Sequence, residues 1–135
     1  MRWIVRVYAL MEDEAGRYLV LEEYFRGGWI VKFPGGGVQS EEGLIEALQR
    51  ELAEELAIHL TEAQHFYTTA FFQRSYYHAE ARLLAVYYRV RWTGEIRPQG
   101  PYLRPYWLPA SFIPATFPVD RHVVGLIERR QGQGS

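Results

Sequence analysis

The sequence predicts an α+β fold in which a sheet is covered by helices. Bulky apolar residues alternate or run together over residues 3–10, 17–24 and 81–92, as strands require. Residues 41–56 instead repeat their apolar side chains every three or four positions, the period of a helix. Residues 119–130 do the same with Val123, Val124, Leu126 and Ile127. The order strands, helix, strands, helix belongs to the α+β class.

Taken in order, residues 3–10 alternate apolar side chains with arginine and form the first predicted strand. Residues 11–16 are acidic and end in glycine, as a hairpin loop would. Tyr18, Leu19, Val20 and Leu21 mark a second strand over residues 17–24. After a break at Arg26-Gly27-Gly28, residues 29–33 form a short extended piece. Pro34-Gly35-Gly36-Gly37 reads as a loop whose backbone geometry matters, since that run suits neither a helix interior nor a regular strand. The helix of residues 41–56 opens on Ser40, Glu41 and Glu42, a capping hydroxyl and two carboxylates at the positive end of the helix dipole. Leu44, Ile45, Leu48, Leu52 and Leu56 make its apolar stripe. Two extended pieces follow at residues 58–60 and 66–72, then the strong strand 81–92 and the turn Thr93-Gly94-Glu95. Residues 98–118 hold six of the seven prolines, so they read as irregular connections around a short strand near Trp107. The expectation is one domain over residues 1–130, with a frayed tail at residues 131–135.

Composition narrows the function. A chain of 135 residues has room for one ordinary core. A hydrophobic share of 48% is ample to fill it, so disorder is not expected. The formal net charge of −1, with no basic stripe, argues against a polyanion binder, and no DNA binding is expected. Lys32 is the only lysine. The absence of cysteine removes disulfides, thiol catalysis and cysteine-ligated metal sites. The first ten residues lack the apolar core of a signal peptide, and no stretch approaches the ~20 apolar residues that span a bilayer. A cytoplasmic protein with no membrane partner is expected.

The chemistry concentrates on a second face of the first helix. Glu51, Glu54 and Glu55 stand at i, i+3 and i+4, which puts three carboxylates on one side within a turn. Exposed like charges at this spacing repel by a few tenths of a kcal/mol per pair (roughly 0.2–0.5), and the fold gains nothing from them unless a cation sits among them. Oxygen ligands of this kind favour Mg²⁺, Mn²⁺ or Ca²⁺ over zinc. Arg50 lies within reach of Glu46, Glu54 and Glu51, and its planar guanidinium suits it to hold carboxylates in place. Gly35, Gly36 and Gly37 let the backbone approach a metal or phosphate closely. A solvated charged face would explain the glutamates taken alone; their spacing to Arg50 and the glycine run makes that the weaker reading.

Gly36, five residues, Glu42, seven residues, Arg50-Glu51-Leu52, one residue, Glu54-Glu55, one residue, Ala57-Ile58 resembles the Nudix box. Every position of the family's pattern is matched but one: Ala57 stands where the family usually has glycine, which bears on the helix terminus and leaves the carboxylates untouched. Phe33-Pro34-Gly35-Gly36-Gly37 resembles the family's usual entry to the box, and Tyr106-Trp107-Leu108-Pro109 its common late strand. The resemblance implies a Nudix α/β/α sandwich with a mixed central sheet. It implies a hydrolase that uses Mg²⁺ or Mn²⁺ to cut a diphosphate linkage in a nucleoside diphosphate derivative. Glu51, Glu54 and Glu55 would be the metal ligands together with the Gly36 carbonyl, and Glu51, Glu54 and Arg50 would serve catalysis, Arg50 by orienting Glu51. Glu42 would hold loop and helix together or assist the metal's water shell. Family members often recruit a further carboxylate from a later loop; Glu95 is the first candidate and Glu80 the second, against a plain reading of both as solvated turn residues.

Tyr76 and Tyr77, in a break between strands beside Arg74, are candidate substrate contacts. Arg26 and Lys32, close to the glycine run, are candidate phosphate contacts, the alternative being a solubilising charge at a strand end. His59, His65, His78 and His122 lack any ligand spacing. The expected substrate is a nucleotide-type small molecule, most simply a nucleoside triphosphate or modified nucleotide. ADP-ribose-cleaving members tend to place a proline shortly after the box, where this chain has Gln73, Arg74 and Ser75. The alternative function is a catalytically inactive Nudix-fold nucleotide-binding or regulatory module, against which the intact glutamates stand. The exposed-looking aromatics permit a homodimer.

Overall fold

The computed structural model describes residues 1–133, which form β1 (Arg2–Leu10), β2 (Arg17–Phe25), β3 (Gly28–Lys32), β4 (Gly35–Gly37), α1 (Leu44–Leu56), β5 (His59–Thr68), β6 (Ala81–Thr93), β7 (Leu103–Pro109) and α2 (Pro118–Gln133). A single 3₁₀ turn, Ala110–Phe112, follows β7. The strands make two sheets. One is mixed, in the order β4-β1-β6-β5, with β1 and β6 parallel and the other pairs antiparallel. The other is antiparallel, in the order β3-β2-β7.

The alternation in the sequence explains why helices lie on both sides. In a strand, successive side chains point to opposite faces. Val7 and Ala9 of β1, Leu19 and Leu21 of β2, and Val86, Tyr88 and Val90 of β6 pack with Ala47, Leu48, Leu52 and Leu56 of α1. The alternate residues, Tyr8 and Leu10, Tyr18 and Val20, and Ala85 and Tyr87, pack with Val119, Val123 and Ile127 of α2. Each fully buried Val, Leu or Ile contributes about 1.5–3 kcal/mol relative to leaving it in water. The sheets are therefore held from both faces, as in the expected α/β/α sandwich. Among the described residues no helix is long and apolar enough to cross a membrane.

Several elements differ from their sequence reading. The glycine run is a short strand, β4, pairing Gly35, Gly36 and Gly37 with Tyr8, Val7 and Arg6. α1 begins at Leu44, three residues later than the expected start, because Glu41 has a left-handed backbone (φ 66°) and Gly43 takes the cap position. The Glu46 carboxylate closes that end by accepting the Gly43 N–H at 3.1 Å. Ile45 is exposed, and Ala47 takes its place in the buried stripe. The two extended pieces at residues 58–60 and 66–72 are one strand, β5, which crosses its polar middle with register shifts at Leu60/Glu62 and His65/Tyr67. An edge strand needs only one partner and tolerates a solvated face, so polarity there does not break it. α2 continues through Gln131 and Gln133 where fraying was expected, and the rest of that tail lies outside the described residues.

Candidate metal and substrate site

The site is built where α1, β4 and the end of β3 meet. Gly35 has φ 146°, and a Cβ there would stand 2.0 Å from the Val7 carbonyl oxygen. A Cβ on Gly36 would stand 2.4 Å from the Glu51 carboxyl carbon. The glycines thus let β4 lie against β1 while the Glu51 carboxylate rests directly on the backbone.

Arg50 organises the first half of the site. Its Nε and Nη2 donate to the two carboxylate oxygens of Glu42 at 2.6 and 2.9 Å, and Nη2 also donates to the Gly37 carbonyl at 2.8 Å. Its Nη1 donates to Glu51 at 3.0 Å and to Glu54 at 3.3 Å. One planar fork therefore ties the strand, the pre-helix loop and the acidic face of α1 together. These bonds, Glu42 foremost, hold Arg50 above the ordinary arginine range. The Arg50 bond and the Gln39 N–H at 2.9 Å hold Glu42 below the ordinary carboxylate range.

Lys32 organises the second half. It is 3% exposed, and its Nζ reaches Glu55 and the Gly35 carbonyl, each at 3.2 Å, and Glu23 at 3.6 Å. Burial alone would pull its pKa down, but Glu55, Tyr77, Tyr8 and Glu23 together hold it up. Glu55 also accepts the Gly35 N–H at 2.9 Å. Burial is the larger influence on this carboxylate and pushes it up in spite of Lys32 and Gly35.

Glu51, Glu54 and Glu55 line one cleft of about 320 Å³ together with Gly36 and Lys32. Among the described residues no three acidic or histidine side chains converge as a ready-made metal site. Glu51 and Glu54 are turned to Arg50, and Glu55 to Lys32. The donor set nevertheless fits a hard divalent cation: three carboxylates border one open cleft, and the missing Cβ of Gly36 leaves room for Glu51 against the backbone.

The remaining candidates separate. Tyr77 borders the cleft, with the Arg6 guanidinium 4.0 Å from its ring centroid. Tyr76 packs instead on Phe25 and Phe117, outside the cleft walls. Arg26 donates to the Tyr76 and Tyr77 carbonyls at 3.1 and 2.8 Å, so it pins that turn and does not line the cleft. Lys32 is a buried ion-pair partner, which replaces the reading as a solubilising strand-end charge. Glu95 has a side chain 75% exposed and paired with Arg97 at 2.9 Å, and Glu80 lies exposed in a turn; neither borders the cleft. The later loop contributes Gln99 instead, because its backbone docks on the end of α1 through Arg97 N–H to Leu56 O at 2.9 Å and Gln99 N–H to Glu55 O at 2.8 Å.

Three polar wall residues, Arg6, Glu23 and Gln99, escaped the sequence reading, as did the apolar Phe25 and Leu103. A signal existed for two of them. Glu23 continues the inward series Leu19, Leu21, and Arg6 begins the series Tyr8, Leu10. Next to the cleft, a cavity of about 10 Å³ is lined by Arg6 and Tyr77 together with Tyr8, Tyr87 and Asp120. Asp120 is 1% exposed and accepts the Tyr87 hydroxyl through Oδ1, while its Oδ2 and the Tyr77 hydroxyl meet no partner among the described residues. Burial pushes its carboxyl up to about 6, against the Tyr87 bond and the nearby Lys32 and Arg6 charges.

Comparison with known proteins places this geometry in context. The family model described as NUDIX domain matches residues 2–124. A structure from a study of MutT of Aliivibrio salmonicida and Vibrio cholerae is 22% identical, with 96% of this chain and 99% of that chain covered and a TM-score of 0.77. The MutT NUDIX hydrolase of Burkholderia pseudomallei is also 22% identical, covering 93% and 98%, with a TM-score of 0.79. The E. coli ORF135 protein is 21% identical, covering 100% and 93%, with a TM-score of 0.78. At these identities the likeness is one of fold. Among curated proteins no sequence matches.

Proposed function

This chain belongs to the NUDIX family of hydrolases, and from that membership we propose that it hydrolyses a diphosphate linkage in a nucleoside triphosphate or modified nucleotide, with Mg²⁺ or Mn²⁺ bound. The observation that carries the proposal is the gathering of Glu51, Glu54 and Glu55 in one cleft over the Gly35–Gly37 backbone. The likeness in fold to proteins named MutT points the same way.

Glu51, Glu54, Glu55 and the Gly36 carbonyl are the groups that would hold the ion. When bound, a divalent ion neutralises phosphate charge and makes a nucleophile of water at neutral pH. Arg50, itself held by Glu42, keeps Glu51 oriented. Arg6 and Lys32 bring positive charge to the side of the cleft that phosphates would occupy, and Tyr77 offers a ring to the nucleoside. Of the acidic residues outside the box, Glu23 borders the cleft and Glu95 does not, so a carboxylate recruited from outside the box is better sought at Glu23. The competing reading, an inactive binding module, has the same walls and differs in having no turnover.

The test is a panel of nucleoside triphosphates, oxidised nucleotides, nucleotide sugars, ADP-ribose and dinucleoside polyphosphates with Mg²⁺ or Mn²⁺, with Glu54→Gln alongside. Turnover of a panel member should fall by orders of magnitude in the variant while its fold is retained. No turnover of any member, despite tight metal or nucleotide binding, would transfer the assignment to the binding module.

A further inference from the structure

Where β1 and β6 begin, a different group of side chains stands apart from the metal cleft. Arg74 bridges Arg82 across an antiparallel contact, and Arg82 is in register with Trp3 on the parallel neighbour. Residues paired across strands share a face of the sheet, so the three stand in one row. Phe72 joins them. The Arg82 guanidinium lies 4.1 Å from the Trp3 ring centroid and 5.4 Å from that of Phe72, and the Arg74 guanidinium lies 5.9 Å from Phe72. Both guanidinium groups therefore lie against exposed aromatic rings.

Like charges directly opposite one another on neighbouring strands destabilise the pairing. Among the described residues neither arginine has a carboxylate within salt-bridge distance. Among the described residues the Arg74 guanidinium donates only to the Ala79 carbonyl, at 3.4 Å, and the buried Arg82 Nε meets no acceptor. Trp3 and Phe72 are 53% and 56% exposed. Beside them opens a cleft of about 200 Å³, bordered by Trp3, Phe71, Phe72 and Arg82. That is below the ~300 Å³ at which pockets for drug-sized ligands begin, which suits one planar ring system better than a polypeptide segment. None of these residues borders the metal cleft.

An uncompensated pair of guanidinium groups asks for an anion, and exposed aromatic faces beside them ask for a planar ring. We propose that this face is a second nucleotide-binding site, in which the base stacks on Trp3 and Phe72 and the phosphate meets Arg74 and Arg82. The combination recognises neither a bare phosphate nor a bare nucleoside fully, because each uses half of it. A nucleic-acid strand would need the row to continue into a basic groove, and a formal net charge of −1 gives it none. The site does not depend on the hydrolase reading.

The test is a titration of the full ¹⁵N-labelled chain with AMP in EDTA, following the indole N–H resonances of the four tryptophans. Trp3 is assigned by the resonance that disappears in Trp3→Phe. Its signal should shift saturably with AMP, and at least about tenfold less tightly with adenosine or inorganic phosphate alone. Arg74→Ala and Phe72→Leu should each weaken the AMP effect by about tenfold or more, with the Trp92 and Trp107 signals unchanged as proof of fold. Glu54→Gln should leave it intact. A Trp3 signal that stays still while others saturate would overturn the proposal, as would equal binding by Arg74→Ala or by phosphate alone. Binding of a short oligothymidylate more than about tenfold tighter than AMP would overturn it in favour of a strand-binding surface.

Discussion

At Asp120 two influences on one carboxylate oppose each other. The residue stands in the first turn of α2, where the helix dipole favours a negative charge. It is also almost wholly buried, and burial prevails, raising its carboxyl from 3.8 to about 6. Between those two values the folded chain binds more protons than the unfolded one, so this group's contribution to stability is present below about pH 3.8 and is lost as pH rises through about 6. A shift of that size corresponds to about 3 kcal/mol. The groups facing it do not titrate in that window: Lys32 and Arg6, both held up, stay charged, and Tyr87 and Tyr8, both pushed up by burial, stay neutral. Asp120→Asn keeps an acceptor for the Tyr87 hydroxyl and cannot ionise. Urea unfolding at a series of pH values should therefore show wild type losing stability relative to Asp120→Asn between pH 4 and 7. Parallel profiles would refute the account. No feature of the sequence marked Asp120, because burial of a carboxylate at a helix start depends on which strands pack over it. Glu51, Glu54, Glu55, Arg50 and Gly36 were legible because their spacing lies within one helix and the strand before it. Arg6, Glu23 and Gln99 come from three separate segments, and only the fold brings them together.

Elements were legible where one periodicity ran unbroken. The apolar alternation of β1, β2 and β6 and the stripe of α1 each follow from local pattern. The start of α1 did not, since Ser40 and Glu41 have the composition of a cap and yet form a turn, leaving Glu46 to close the helix from inside. β4 was hidden because a strand of three glycines has no side chains to show a period, and its existence rests on the partner β1. The end of α1 is the place where the sequence departs from the family pattern, and its geometry allows a test. Ala57 adopts φ 58° and ψ 36°, with its N–H bonded to Ala53 O, so a residue with a Cβ sits in the left-handed conformation that usually falls to glycine. That conformation costs an L-residue roughly 1–2 kcal/mol, partly offset by the larger chain entropy that glycine loses on folding, roughly 0.5–1 kcal/mol. Ala57 is exposed, so nothing in the packing resists the change. Ala57→Gly should stabilise the protein by about 0.5–1 kcal/mol, raising the midpoint of thermal unfolding by a few degrees. A lower midpoint would mean that the helix end is held by something other than this backbone strain.

On the scale of the whole molecule, two sheets that share no strand pairing must be held at a fixed angle for the cleft between them to keep its shape. Lys32 is one of the joints. It extends from β3 of the antiparallel sheet to the Gly35 carbonyl on β4 of the mixed sheet and to Glu55 on α1, with Glu23 of β2 alongside. The same ammonium is the charge that keeps Glu55 compensated in the absence of any metal. Removing one partner of a buried ion pair typically costs about 3–5 kcal/mol, because the other charge is left without compensation. Protonation of Glu55, already favoured by burial, would cap that cost. Lys32→Met is therefore expected to lower the unfolding free energy in EDTA by roughly 2–4 kcal/mol at neutral pH, more at pH 8 than at pH 5. If Glu55 also belongs to the proposed metal site, Mn²⁺ has two different tasks in the two proteins. In wild type it must displace Lys32 from Glu55, whereas in the variant it supplies the positive charge that Lys32 no longer gives. Added Mn²⁺ should then raise the unfolding midpoint more in Lys32→Met than in wild type, since stabilisation grows with the ratio of free ion to dissociation constant. Equal increments in both proteins would separate the two roles and show that Glu55 serves the sheet junction and not the ion. A larger increment in the variant, lost again in the double variant with Glu55→Gln, would tie the architecture of the junction to the chemistry of the cleft.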